Sequence, residues 1–486
     1  MKNFVELHDG GRIPLEELRP RVPHISFMGP THLDVCERWV GPADLPPDLR
    51  PVYLNCIYTK SERTKQVTAL LELIGAGKLR VCAVESSFVG PEFADLLGKD
   101  VRIRLREPRD HNAIDRAQFF RFAMKVCAHR LFRVFRRRRL AAKRVIRAWV
   151  DTTDSLYPTE IRSALLLIYP FQGNLKRQLR YLRLCRRENR NYSMAGIPYR
   201  FTDVARIFLR PADREVALIR GEAHAYRKCA REYLSMGVER VFTTDEFEMA
   251  GIELYRALMV NSVHCMNSSH GVGVYGPHVK YSHFRFYCEQ QREFYLRRSE
   301  VDSHDFRRVL PPDAEAPPDP GSRYAPLIVY IQGNWRQTGK VYEDRLEGEA
   351  IARAKQVCAS LDMPLAIKVH PQVSAAGCAR LQRQFGLQVV RELDELSGHH
   401  LTFVNLMSTA YYAFLLNGPT VFVKDELLRP NYLFGEGIPC AKLEDLESEL
   451  ARFRDGGHWI RRLRSQIDRE ERRVSAKQHD APFTET

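Results

Sequence analysis

A lysine and a histidine close the stretch Pro364-Leu-Ala-Ile-Lys-Val-His-Pro-Gln372. Both residue types can offer positive charge and N–H donors to a phosphate. Three further groups share that chemistry. Gln332-Gly333-Asn334 is a polar glycine turn behind an apolar run, and Met407-Ser408-Thr409-Ala410 offers hydroxyls where a helix would begin. A Ser or Thr at a helix start caps its free N–H groups, and the same position directs N–H groups at an anion. His270 opens the glycine-rich run His270-Gly-Val-Gly-Val-Tyr-Gly-Pro-His278. An imidazole titrates near working pH and can take a hydroxyl proton, and the glycines let backbone N–H groups approach a ligand. No Gly-Lys-Ser/Thr follows, so this is not a P-loop. Each residue also has a plainer reading: Lys368, His370 and Pro371 as a strand leaving its sheet, Ser408 and Thr409 as a simple cap, His270 as a loop hydrogen bond.

These residues need elements that carry them to one place. Leu365, Ile367 and Val369 alternate as in a strand, which Pro371 ends because proline gives no N–H to a ladder. Around it, residues 327–332, 387–390, 401–405 and 420–423 read as strands, and residues 345–361, 375–385 and 411–416 as helices. Strands and helices alternating at this pace predict a parallel sheet with helices on both faces. In such sheets ligands bind beyond the carboxyl ends of the strands, where all the groups above fall. The acidic, proline-rich residues 311–323 read as a linker. They divide a first domain, residues 1–310, from a second at 324–455, with a C-terminal helix and tail at 456–486.

The first domain is harder to read. Residues 164–169 and 238–242 predict buried parallel strands, residues 175–187 a basic helix, and residues 245–259 a helix leading to a strand at 263–266. Residues 51–58 and 79–84 also read as strands. Residues 1–155 are otherwise poorly defined, apart from a basic helix expected at about 125–150. There Arg136, Arg137, Arg138 and Arg139 stand among Leu131, Phe135, Val145 and Trp149. Such a helix can lie on an anionic membrane or an acidic glycan acceptor, or can be a solvated helix face.

The chain has 486 residues, more than one core usually covers, and a net charge of +15 that predicts an anionic partner. Its 11 cysteines form no Cys-x-x-Cys pair, which predicts free thiols in a reducing compartment and no metal site. The first residues lack the apolar core of a signal peptide, so the expected location is cytoplasmic, with peripheral contact to the inner face of the cytoplasmic membrane. The apolar residues 401–423 contain a Gly-Pro pair and predict strand, helix and strand rather than a membrane span.

Five pieces in order, Ser269-His270-Gly271, Leu327-Ile-Val-Tyr-Ile-Gln332, Ile367-Lys-Val-His-Pro371, Asn405-Leu-Met-Ser-Thr-Ala410 and Phe414-Leu-Leu-Asn-Gly-Pro-Thr-Val-Phe422, resemble bacterial GT-B glycosyltransferases of the capsule and lipopolysaccharide type. That group includes Kdo transferases, sialyl- and polysialyltransferases and polyol-phosphate transferases. The resemblance implies an α/β, GT-B-like fold with two Rossmann-like domains facing a cleft. It implies donor-phosphate binding by His370, Ser408 and Thr409, and a base role for His270. It further implies an inverting enzyme that moves a sugar from a nucleotide-sugar donor to a surface polysaccharide or lipid-linked glycan, with CMP-linked Kdo or sialic acid as first choice. A base motif of the Asp-Asp-Gly or Glu-Asp-Gly kind is absent, and Asp245 and Glu246 are the expected substitutes. Asp-x-Asp is also absent, and a metal-independent reaction without a cofactor is expected, with fixed cations stabilising the leaving nucleotide. The alternatives are a CDP-polyol phosphotransferase of the same fold, a catalytically silent glycan-binding scaffold, and a nucleic-acid-binding protein. The last lacks any zinc, RRM or KH signature, so no nucleic acid is expected.

Overall fold

The computed structural model describes residues 4–7, 12–14, 30–39, 42, 44–75, 79–81, 84–86, 103–105, 114, 116–134, 141–148, 156–169, 175–209, 213–246, 248–269, 271, 274–287, 289–307, 327–332, 341–369, 373–391, 395, 400–404, 414, 418, 420–424, 440–442, 445–452 and 456–475. The 311–323 linker lies outside them.

Near the N-terminus, β1 (Phe4–Leu7) pairs antiparallel with β2 (Arg12–Pro14) and β3 (Leu79–Val81), and β4 (Val84–Ser86) pairs with β5 (Ile103–Leu105). Two larger sheets carry the fold. The first contains β6 (Arg144–Ala148), β7 (Leu165–Ile168), β8 (Tyr192–Met194), β9 (Arg240–Thr243), β10 (His264–Ser268), β11 (Lys280–Phe286) and β12 (Glu300–Phe306). Its order is β12-β11-β10-β9-β6-β7-β8, and every neighbouring pair is parallel. The second contains β13 (Leu327–Gln332), β14 (Leu365–Val369), β15 (Gln388–Val390), β16 (His400–Val404), β17 (Thr420–Lys424) and β18 (Cys440–Lys442). It too is wholly parallel, in the order β15-β14-β13-β16-β17-β18. The expected α/β architecture with two Rossmann-like units is what the chain adopts.

Parallel strands covered on both faces must be apolar on both. All of β7 and β14 is buried. Alternate residues feed two cores: Val145, Leu165, Leu167 and Val241 join one apolar cluster, while Ile146, Leu166, Ile168 and Phe242 join the cluster on the opposite face. The first cluster also takes in α1 (Pro30–Arg38), α2 (Arg50–Lys60), α3 (Glu62–Gly75) and α4 (Arg116–Val134), so much of the N-terminal region packs onto the first sheet. Further along the chain come α5 (Leu175–Arg187), α6 (Phe201–Leu209), α7 (Arg214–Ser235), α8 (Gly251–Met259) and α9 (Glu289–Leu296). Beside the second sheet are α10 (Val341–Ser360), α11 (Ala375–Phe385), α12 (Leu446–Arg452) and α13 (Gly456–Ser475). Ile460, Leu463 and Ile467 anchor α13 in the second unit's core, where Gln466 bonds both backbone groups of Thr420. Phe414 is buried with the first unit's cluster, which ties the chain beyond β16 to that unit. Among the described residues no helix is long and apolar enough to cross a membrane, and within 401–423 lie the strands β16 and β17.

Three expectations need correction. Residues 51–58 form part of the helix α2, not a strand: every residue from 52 to 58 is buried, so no apolar stripe was available to read, and Pro51 occupies the first turn where its missing N–H costs nothing. The basic helix expected at 125–150 ends as α4 at Val134, and Arg144–Ala148 is the buried strand β6. A fully buried arginine, Arg147, stood in the sequence as one more cation of a solvated face. The helix expected to begin at Asp245 begins at Gly251. Residues before it make turns, Glu248 N–H to Asp245 O and Gly251 N–H to Glu248 O, while the Asp245 and Glu246 side chains bond elsewhere.

Candidate functional site

In each parallel sheet one place separates strands added in one direction from strands added in the other. In the first it lies between β6 and β9, in the second between β13 and β16. In such sheets ligands usually bind at this division, beyond the carboxyl ends of the strands.

In the second unit, register brings the ends of three strands level. Ile331 is level with Lys368 on one side and with Val404 on the other, and Gln332 is level with Val369. The chain therefore steps off β13 into Gly333-Asn334, off β14 into His370-Pro371, and off β16 into the segment bearing Ser408 and Thr409. These are three neighbouring strands, about 5 Å apart. Gly333, Asn334, His370, Pro371, Ser408 and Thr409 themselves lie outside the described residues, and of Gln332 the backbone alone is described. The Lys368 side chain is buried, and its Nζ donates to Val369 O, at the end of β14, at 3.0 Å. Gly418 passes so close to β16 that a Cβ there would lie 1.8 Å from His400 O, so only glycine fits.

In the first unit, β6 ends beside Arg147 and β9 runs into Thr244, Asp245 and Glu246. Asp245 is fully buried, with Oδ2 at 2.9 Å from Arg147 Nε. Tyr255 Oη lies 2.7 Å from both carboxylate oxygens, and Tyr281 Oη donates to Oδ1 at 3.2 Å. Burial, with the Asp245 charge beside them, pushes both phenols well above their usual range, so they remain donors. The Arg147 guanidinium lies over the Tyr169 ring at 4.9 Å. Asp245 is thus occupied on every side and presents no free oxygen to an acceptor.

Glu246 is also buried, but it serves the next strand end. Asn267 Nδ2 donates to its Oε2 at 3.2 Å and Ser269 Oγ lies 3.1 Å from its Oε1. Gln291, on α9, donates through Nε2 to Ser269 Oγ at 2.8 Å and to Gly271 O at 2.9 Å, while its Oε1 accepts from Tyr287 N–H at 2.8 Å. This buried network grips the residues on both sides of His270, which itself lies outside the described residues. The loop after it is pinned by Asn55 of α2, which donates to His278 O at 2.7 Å and accepts from His278 N–H at 2.9 Å. Gly276 sits so near that a Cβ would come 2.8 Å from Glu246 O.

Sequence reasoning missed Gln291, Asn55 and Arg147. None belongs to a local motif, and their roles come from partners far along the chain. It also passed over Glu248, a partly exposed carboxylate in the turns after β9 whose pKa is raised by burial, against the nearby charges of Lys125 and Arg147. A carboxyl raised toward neutrality at a strand's carboxyl end suits proton transfer. Arg136, Arg137, Arg138 and Arg139 lie outside the described residues.

No family model and no curated protein matches the chain. Among solved structures it is similar to proteins of the glycosyltransferase class. One is apo OtsA, 11% identical over 72% of this chain and 100% of that one, with a TM-score of 0.39. Another is a UDP-forming α,α-trehalose-phosphate synthase from Burkholderia xenovorans in complex with glucose-6-phosphate, 10% identical over 69% and 98% of the two chains, with a TM-score of 0.38. A third is the spinosyn rhamnosyltransferase SpnG with spinosyn aglycone, 10% identical over 69% and 96%, with a TM-score of 0.33.

Proposed function

We propose that the chain is an inverting, metal-independent glycosyltransferase of the GT-B type that takes its sugar from a nucleotide donor. CMP-linked Kdo or sialic acid is the first choice of donor, and the acceptor is a surface polysaccharide or a lipid-linked glycan. The observation that carries this reading is the register of the second sheet, in which β13, β14 and β16, the strands that precede Gly333, His370 and Asn405 in the chain, end side by side.

A nucleotide's phosphate at that edge would meet the imidazole of His370, the hydroxyls of Ser408 and Thr409 and the backbone N–H groups of the Gly333-Asn334 turn. Lys368 adds positive charge from behind. Groups already fixed in place spend little on reorganisation as negative charge builds on the leaving phosphate. His270, held between the gripped residues Ser269 and Gly271, would take the proton of the acceptor hydroxyl. The hydroxyl oxygen then attacks the anomeric carbon as the bond to the phosphate oxygen breaks. Asp245 and Glu246, occupied as they are, act as supports of this edge, and Glu248 stands as the carboxylate able to assist His270. The basic run Arg136, Arg137, Arg138 and Arg139 would face an anionic acceptor or the inner membrane surface.

Thermal unfolding with CMP, CDP, UDP, GDP and ADP, on wild type and His370→Ala, tests the donor site. A ligand at 100 times its Kd stabilises the native state by about 2.7 kcal/mol. The expected result is a shift with CMP that His370→Ala abolishes. A CDP shift larger than the CMP shift would favour the polyol-phosphate alternative, and no shift with any nucleotide would refute the donor site.

A further inference from the structure

Five of the eight large apolar side chains that stand exposed among the described residues lie on two helices in contact. On α4, Phe120 and Met124 are 65% and 70% exposed; on α6, Phe201, Phe208 and Leu209 are 50%, 45% and 79% exposed. Helical spacing puts Phe120 and Met124 one turn apart on one stripe, and Phe201 and Phe208 two turns apart on another. The stripes meet: the Phe120 and Phe208 rings are 5.5 Å apart, and at the other end Arg130 lies over the Phe201 ring at 5.3 Å. The helices run antiparallel and form one apolar ridge. Buried residues such as Phe119, Phe122, Val126 and Ile207 already supply what these helices need to pack on the core. The ridge is thus surplus to folding, and a contiguous exposed apolar patch of this kind marks an interaction surface.

The charge around it identifies the occupant. The exposed residues flanking the ridge include Arg121, Arg130 and Arg206. All 19 residues of α4 include no Asp or Glu, and the single acid of α6, Asp203, is buried. Large apolar side chains flanked by arginines suit an anionic lipid surface, where the apolar groups enter the headgroup boundary and the guanidinium groups meet phosphates. A second copy of the chain docked on the same ridge about a two-fold axis would bring this cationic rim against itself. We infer that the α4–α6 ridge docks the protein on an anionic bilayer. The inference rests on described residues other than the arginine run at 136–139, and it does not depend on glycosyl transfer.

The test is sedimentation with vesicles of phosphatidylcholine alone and of phosphatidylcholine mixed about 2:1 with phosphatidylglycerol. The variants are a triple Met124→Ser, Phe208→Ser, Leu209→Ser and a double Arg121→Ser, Arg130→Ser; all these side chains are exposed, and circular dichroism melting checks that the fold survives. The expected result is binding to the anionic vesicles alone, weakened at least about tenfold by the triple variant and made less salt-sensitive by the double variant. Binding that the triple variant leaves unchanged, or no binding to anionic vesicles, would overturn the inference. So would a concentration-dependent dimer in light scattering that the triple variant converts to monomer, since the ridge would then be a self-association surface.

Discussion

Replacing Asp245 by alanine separates a support from a catalytic base. The carboxylate and Arg147 are both withdrawn from water, 2.9 Å apart, and removal of one partner leaves the other charge buried without compensation. Breaking such a pair costs about 3–5 kcal/mol. Tyr255 and Tyr281 would also lose the acceptor of their hydroxyls, at about 1–3 kcal/mol for each buried group left unsatisfied. The two effects overlap, so the expected loss for Asp245→Ala is about 4–6 kcal/mol, enough to unfold much of the population of a marginally stable unit. The paired replacement Arg147→Met with Asp245→Leu is expected to recover the ion-pair part of it, about 3 kcal/mol, and to leave the cost of the two tyrosine hydroxyls. Neither Nη of Arg147 has a hydrogen-bond partner among the described residues, and apolar substitutes of similar volume often match a buried ion pair. Urea unfolding followed by circular dichroism measures the stabilities, and CMP-induced stabilisation reports whether the donor site survives in the double variant. The reasoning fails if Asp245→Ala is as stable as wild type yet inactive, because Asp245 would then face substrate.

Further outcomes follow from other contacts. Gln291→Leu removes the group that holds Ser269 Oγ, Gly271 O and Tyr287 N–H together; turnover is expected to fall with little change in donor KM, at a stability cost of about 1–3 kcal/mol, and Gln291→Glu, which cannot donate to Gly271 O and buries a carboxylate, should not restore the stability. Gly418→Ala would place a Cβ 1.8 Å from His400 O, so the second unit should yield little folded protein, as solubility and proteolysis would show. His32 is buried between Thr68 Oγ1 and Tyr58 O, and burial lowers its pKa from 6.5 to about 3. Between those values the unfolded chain binds a proton that the folded chain does not, so stability falls as pH drops below 6.5, by up to about 1.4 kcal/mol per unit, and levels off near pH 3. Urea midpoints of wild type and His32→Gln across that range check it, the variant being expected to show the shallower decline.

The second unit was the legible part of the chain. Its strand at Leu365–Val369 and its helix at Ala375–Phe385 fall where the pattern predicts. The helix has a Ser374 side-chain cap on Gly377 N–H at one end and the left-handed Gly386 at the other. Such signals are local: each residue's part is set by neighbours within a turn or two. The first unit hid its structure for the opposite reason. The helix Arg50–Lys60 is buried all round and carries no stripe, and the strand Arg144–Ala148 contains an arginine whose charge is met from another strand end.

The candidate site divides the same way. Alternation of strands and helices in the sequence determined that His370, Ser408 and the Gln332 turn belong at strand ends of a parallel sheet. Only the tertiary structure decided which strands are neighbours, and so that β13, β14 and β16 end side by side. It also buried Asp245 and Glu246 among hydrogen-bond donors while Glu248 remains partly exposed. Asn55 and His278, 223 positions apart, meet at the loop beyond His270. A carboxylate's or an amide's role depends on which donors and acceptors the fold brings within 3 Å of it, and no local periodicity records a partner that distant.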